Sequence, residues 1–309
     1  MRNTFIEVFT KLAKKNPRLF LITADLGFGV LTNFSKKYPN QYLNVGVAEQ
    51  NMTGVATGMA LEERIVFTYS IANFPTLRCL EQIRNDAAYH DANVKIIAIG
   101  GGFSYGSLGM SHHATEDLAI MRALPIAVLA PGDLWEVEGA TKEIAKIPGV
   151  CYMRLDPSYS GYNTNKDRKS KKFVLGRASR LREGKDVTII TTGSILSEAL
   201  EAADQLLSEH KICCRVISMH TLNPIDHHEI YVASKETGGI ITVEEHTIAG
   251  GLGSIVAEVC LESGVVPKFF YRIGLRMGFS SVVGSQQYLR KHYNIDKNTI
   301  INKVLSFCG

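Results

Sequence analysis

Short apolar runs alternate with helical patterns along most of the chain. Strand-sized runs stand at Leu19–Thr23, Leu43–Val45, Arg64–Tyr69, Val94–Ile99, Ile126–Ala130 and Cys151–Leu155, with helical patterns near 50–62, 75–89, 115–122 and 132–146. Met1–Lys15 is amphipathic, with Phe5, Val8, Phe9 and Leu12 on one face, and Asn16–Pro17 ends it. The segment Pro157–Lys172 breaks the rhythm with Ser, Tyr, Gly, Asn and Lys. After it the alternation restarts, with strands at Asp186–Thr192, Cys214–Met219, Gly239–Val243 and Phe269–Arg272 and helices near 195–210, 226–236, 251–263, 284–292 and 296–306. Continuous apolar strands separated by helices predict parallel sheets covered on both faces. The expectation is an α/β protein of two parallel-sheet domains, 1–160 and 176–309, joined by a linker at 161–175.

Composition narrows this. The 309 residues are 45% hydrophobic, which excludes disorder and suits about two domains. No apolar run approaches the roughly 18 residues that span a bilayer, and the first helix carries Glu7 and lacks an export signal's apolar core. A net charge of +4 is too balanced to argue for nucleic acid. The basic run Lys166, Arg168, Lys169, Lys171, Lys172 reads as a solvated linker. Six cysteines, at 79, 151, 213, 214, 260 and 308, include no C-x-x-C pair, so zinc is not expected. They read as small buried hydrophobes of a cytoplasmic protein.

Four constellations offer chemistry. In Asn44–Met52 (NVGVAEQNM), Glu49 stands at a strand-to-helix junction on the carboxyl edge of a sheet, where open α/β sheets bind ligands. Its glycine-rich, apolar flanks suit a carboxylate that shares a proton with a ligand nitrogen. In Phe67–Pro75, Phe74 and Tyr69 are candidates for stacking on a flat ring, while Phe67 reads as core. Gly100–His113 is a long glycine-rich loop after a strong strand. It is a poor dinucleotide fingerprint, because the next helix begins only near Thr115, so it reads as an active-site loop. One of its adjacent histidines, His112 or His113, faces the site. In Gly238–Ser254, Glu244, Glu245 and His246 follow a strand, and Gly250, Gly251 and Gly253 open a helix. That segment reads either as an anion site at a helix N-terminus or as a tightly packed helix interface.

Taken together, the segments Gly46–Met52 (GVAEQNM), Asp25-Leu26, the turn ending in Phe74, Ser111-His112 and Val243–Ser254 resemble the transketolase family of thiamine-diphosphate enzymes over essentially the whole chain. The match is to the pyrimidine-binding and C-terminal domains alone. The resemblance implies roles for individual residues. Glu49 would hydrogen-bond N1′ of the cofactor's aminopyrimidine and Phe74 would stack on that ring. Asp25 would line the cofactor cavity, and His112 would contact the substrate oxygen and assist proton transfer. Arg2 and Arg154 stand where the family has phosphate-binding arginines, whose forks suit that group.

Several positions depart from the family pattern. Leu108 replaces an acidic residue four before the loop histidine, Gly100 replaces a further histidine, Gly29 replaces a serine, and Ile71 replaces the second aromatic of the pyrimidine pocket. The thinned polar lining points to an altered, less hydroxylated sugar. No Gly-Asp-Gly motif is present to hold the diphosphate and its Mg²⁺; Gly132-Asp133 is followed by Leu134 and opens a helix. The resemblance therefore implies a separate diphosphate-binding N-terminal subunit, an α₂β₂ assembly and transfer of a two-carbon ketol unit between sugars or sugar phosphates. Competing readings are an acyloin former like 1-deoxyxylulose-5-phosphate synthase, the beta subunit of a 2-oxo acid dehydrogenase, and an inactive scaffold paralogue.

Overall fold

The computed structural model describes residues 1–159, 161, 168, 171–276 and 278–308. The strands are β1 (Leu19–Thr23), β2 (Tyr42–Asn44), β3 (Ile65–Ile71), β4 (Val94–Ile99), β5 (Ala127–Leu129), β6 (Cys151–Leu155), β7 (Ser179–Arg182), β8 (Val187–Thr192), β9 (Cys214–Ser218), β10 (Thr221–Asn223), β11 (Ile240–Thr247) and β12 (Phe270–Leu275). Among the described residues they form two sheets, ordered β10-β5-β6-β4-β3-β1-β2 and β12-β11-β8-β9-β7. Every pairing is parallel except at one edge of each sheet, where β10 runs antiparallel to β5 and β7 to β9.

The central strands are apolar throughout because helices cover both faces. On one face of the first sheet, the helix Arg2–Ala13 buries Phe5 and Phe9 against Phe67, with the Phe9 and Phe67 ring centroids 4.9 Å apart. The helix Leu134–Ile144 joins the same layer through Val137, Ala140 and Ile144. On the opposite face, Met52, Ala56 and Ala60 of the helix Glu49–Leu61 pack with Ile22, Val66 and Ile96. The second sheet is sandwiched likewise, with Leu196, Ala199, Leu200 and Ala203 of the helix Leu196–His210 packing against Val187, Ile189 and Val216.

Some expectations change. The helical pattern at 75–89 is broken into a 3₁₀ turn, Leu77–Cys79, a short α segment, Leu80–Gln82, and a π-helical stretch, Ile83–Ala88. Strands β7 and β10 and the helix Thr32–Lys37 are too short to carry a period of their own. Strand β10 leaves the second half of the chain to add an edge to the first sheet, pairing Thr221 with Leu129. Arg168 is not solvated. It is buried with Nη1 3.3 Å from Asp133 and 3.2 Å from Glu136, and its guanidinium lies 4.8 Å from the Trp135 ring centroid. Lys166 and Lys169 lie outside the described residues. Four cysteines are buried, Cys213 is half-buried and Cys308 is exposed.

Candidate active site

Because β1, β2, β3, β4 and β6 are parallel, the segments carrying Asp25, Glu49, Phe74 and His112 all leave the same edge of the sheet. Asn44 organises the first two segments. Its Oδ1 accepts from the backbone N–H of Asp25 (2.9 Å) and of Gly46 (3.0 Å), and its Nδ2 donates to Asp25 Oδ1 (3.1 Å). Gly46, at φ +75°, turns the chain from β2 toward the helix. Glu49 is the first helical residue, where a carboxylate also meets the positive end of the dipole. It is 2% exposed, and its Oε2 lies 2.7 Å from Nη1 of Arg78, whose side chain is 47% exposed.

Arg78 joins Glu49 to the aromatic wall, because its guanidinium carbon stands 4.6 Å from the Phe74 ring centroid. The other side of the cluster is His112, whose ring meets Phe74 edge-on at 5.3 Å and Tyr105 at 6.4 Å. Its Nδ1 lies 2.9 Å from Ser111 Oγ. Asn73 locks the two loops together by donating from Nδ2 to the carbonyls of His113 (2.5 Å) and Ser111 (3.3 Å). Burial, and then the neighbouring His113, lower the pKa of His112 below its ordinary 6.5, favouring a neutral, proton-accepting ring. His113 is buried, with Nε2 3.2 Å from the Gly106 carbonyl and its ring edge-on to Phe103. A cleft of about 260 Å³ opens here, lined among others by Asn73, Phe74, Arg78, Ser111, His113 and Glu116.

The remaining expected residues divide. Asp25 adopts φ +54° and lines a second, smaller hollow with Asn44. Ile71 ends β3, and its carbonyl accepts from the Phe74 N–H (2.8 Å). Arg2 is half-buried at the start of the first helix, with its N–H 3.3 Å from the Asp156 carbonyl. Gly100 is dictated by its neighbour: at φ +98°, a Cβ there would lie 2.3 Å from the Tyr105 ring, so tyrosine fills the space a side chain would take. Leu108 is 55% exposed on a 3₁₀ turn.

Two expectations are corrected. Tyr69 is buried in the core layer that contains Phe67 and Leu31, and does not join Phe74 as a stacking surface. Arg154 is 4% exposed and faces inward. Its guanidinium is 3.0 Å from Asp117 and donates to the carbonyls of Ala114 (3.5 Å) and Glu245 (3.3 Å). Burial opposes its charge, but Asp117 and Asp156 outweigh burial and raise its pKa. It braces the junction between the two sheets rather than offering its fork to a substrate.

The glycine-rich 238–254 segment resolves as packing. The N–H groups of Leu252 and Gly253 donate to the Glu244 carboxylate at 2.7 and 2.8 Å, so the chain's own side chain fills the helix N-terminus. A Cβ on Gly251 would stand 2.1 Å from that carboxylate. Glu245 reaches across to the active-site loop. It accepts from Phe103 N–H (2.5 Å), Arg290 Nε (2.5 Å) and Gln286 Nε2 (3.0 Å). Arg78, four residues after Phe74, lies in none of the four constellations, and Asn73 and Tyr105 lie within two of them without being singled out there. Among the described residues no cluster of three His, Cys, Asp or Glu side chains is placed to hold a metal ion, and no helix is long and apolar enough to cross a membrane.

The planar guanidinium of Arg78 is thus held between a buried carboxylate and an aromatic face. Residues 1–158 match the transketolase pyrimidine-binding domain and residues 176–300 the transketolase C-terminal domain. The chain is 35% identical to a subunit of the apulose-4-phosphate transketolase of Phocaeicola vulgatus, covering 99% of this chain and 96% of that protein. It is 34% identical to a 6-deoxy-6-sulfo-D-fructose transketolase subunit of a Clostridium species, covering 97% and 92%. Among solved structures, a split-gene transketolase described as an inactive beta4 tetramer superposes with a TM-score of 0.89 at 35% identity, covering 99% of this chain and 97% of that one. The chain therefore belongs to the transketolase family, as its pyrimidine-binding domain followed by its C-terminal domain.

Proposed function

We propose that this chain is the pyrimidine-binding subunit of a two-chain, thiamine-diphosphate-dependent transketolase. Thiamine diphosphate, when bound, supplies the carbanion chemistry that moves a two-carbon ketol unit from a ketose-type donor to an aldehyde or keto acceptor. Glu49 shares a proton with the pyrimidine N1′, and Phe74 supports the ring face. Asp25 and Ile71 border the cavity. His112 holds or accepts a proton at the substrate oxygen, and half-buried Arg2 is the arginine left for an anionic group on the sugar. The observation that carries this reading is the pairing of Glu49 and Phe74 around one planar nitrogen donor, Arg78.

The diphosphate and Mg²⁺ belong to a separate N-terminal subunit, because this chain has no Gly-Asp-Gly motif and no metal cluster among its described residues. The assembly is an α₂β₂ heterotetramer acting in the cytoplasm, and this chain divides into domains 1–160 and 176–309 with a linker at 161–175. Gly100 and Leu108 remove polar groups that a common pentose phosphate would use, so the sugar is an unusual one. Two relatives bear names of this kind, for apulose 4-phosphate and for sulfofructose.

The test is ketol transfer by the reconstituted two-subunit enzyme with Glu49→Ala in this chain. Loss of a proton-transfer group should cost about 10²–10⁴-fold in rate. Wild-type turnover in the variant would remove Glu49 from the mechanism. Full activity on xylulose 5-phosphate and ribose 5-phosphate would refute the unusual sugar.

A further inference from the structure

We propose that Arg78 is an internal placeholder for the cofactor's aminopyrimidine, a latch that closes this half of the site until the ring displaces it. The inference rests on the reading of Glu49 and Phe74 given above. One side chain, Arg78, occupies both. Arg78 Nη1 donates to Glu49 Oε2 at 2.7 Å, while the same guanidinium lies 4.6 Å from the Phe74 ring centroid. A guanidinium is a planar N–C–N group that donates in its plane and stacks through its faces. An aminopyrimidine presents the same planar N–C–N edge. The two groups therefore compete for the same Glu49 oxygen, Oε2, and for the Phe74 ring face that Arg78 covers.

The latch is also built to move. Glu49 is 2% exposed and fixed in the first turn of its helix, but the Arg78 side chain is 47% exposed. Arg78 itself lies in a short 3₁₀ turn, Leu77–Cys79, rather than in a regular helix. The cleft that Arg78 lines also carries Glu116, a second carboxylate toward which the displaced guanidinium can turn. In the latched state the buried Glu49 charge is paired, which removes the cost of leaving it alone in an apolar surround. A site that must open before it binds shows an apparent affinity reduced by its open fraction.

The experiment is calorimetric titration of thiamine diphosphate, with Mg²⁺, into the enzyme assembled from this chain and its diphosphate-binding partner, comparing wild type, Arg78→Ala, Arg78→Gln and Glu49→Ala. A latch closed nine-tenths of the time predicts about tenfold tighter binding on its removal. Arg78→Ala and Arg78→Gln should therefore both bind more tightly than wild type. The melting temperature should also rise more on cofactor addition in the variants than in wild type. Equal or weaker binding by both Arg78 variants overturns the latch. If Glu49→Ala also weakens binding, the pyrimidine site stands and the latch alone has failed. A wild-type assembly that binds no thiamine diphosphate overturns the site and the latch together.

Discussion

The Glu49 carboxylate shows how little a single side chain says without its surroundings. It is a helix-first-turn acid, a common stabilising arrangement. What makes it a site is that the helix buries it, β3 delivers Phe74 beside it, and the turn after Phe74 returns Arg78 onto it. His112 completes the cluster with a ring whose pKa burial and His113 hold below 6.5. The neutral form therefore prevails at pH 7, and protonation belongs to the range below 6.5. For the assembled enzyme, kcat/KM should stay flat through neutrality and decline only as pH falls below 6.5. Replacing His112 with Asn should remove that decline along with much of the rate. A decline already complete at pH 7 would contradict the assignment.

The clustering of Glu49, Phe74 and His112 was legible because they lie in short contiguous motifs. Glu49 and Phe74 sit a few residues past β2 and β3, His112 closes the long loop after β4, and the parallel order of these strands sends all three segments to one edge. Arg154 misled because it also lies near the end of a strand, β6. Its partner Asp117 lies 37 residues away, and no local signal separates a buried strut from an exposed phosphate ligand. Tyr69 differs for a simpler reason: it lies within β3, and its ring packs in the layer that holds Phe67 and Leu31.

At the scale of elements, the strands were legible wherever they are buried on both faces. The breaks in the pattern are local. Strand β10 has three residues and crosses to the other sheet, and the 75–89 segment never settles into one helix type. The run after β11 could be read as an anion site or as packing, and Glu244 decides for packing by capping the helix eight residues ahead. Its neighbour Glu245 faces the other way, into Phe103, Gln286 and Arg290. One strand thus caps its own domain's helix and holds the root of the active-site loop. Breaking a buried ion pair by deleting one partner costs about 3–5 kcal/mol. Glu245→Ala should lower unfolding stability by about that amount in urea titration, since it strands Arg290 and the Phe103 N–H. A loss below about 1 kcal/mol, in the range of exposed pairs, would show that the clasp is not what holds the junction.

At the scale of the whole molecule, two sheets share part of one apolar cluster, in which Ile22, Val66 and Ile96 of the first are continuous with Ile190, Ile217 and Ile240 of the second. Glu49, Phe74 and His112 gather at one sheet edge, and among the described residues no group of three His, Cys, Asp or Glu side chains is placed to hold a metal ion. If the proposed function holds, this chain supplies one wall of a site shared with its partner. The most direct measurement is thiamine-diphosphate binding by the chain alone, by its diphosphate-binding partner alone, and by the two together. The account predicts tight binding and ketol transfer only in the mixture. Tight binding with full activity by this chain alone would contradict it.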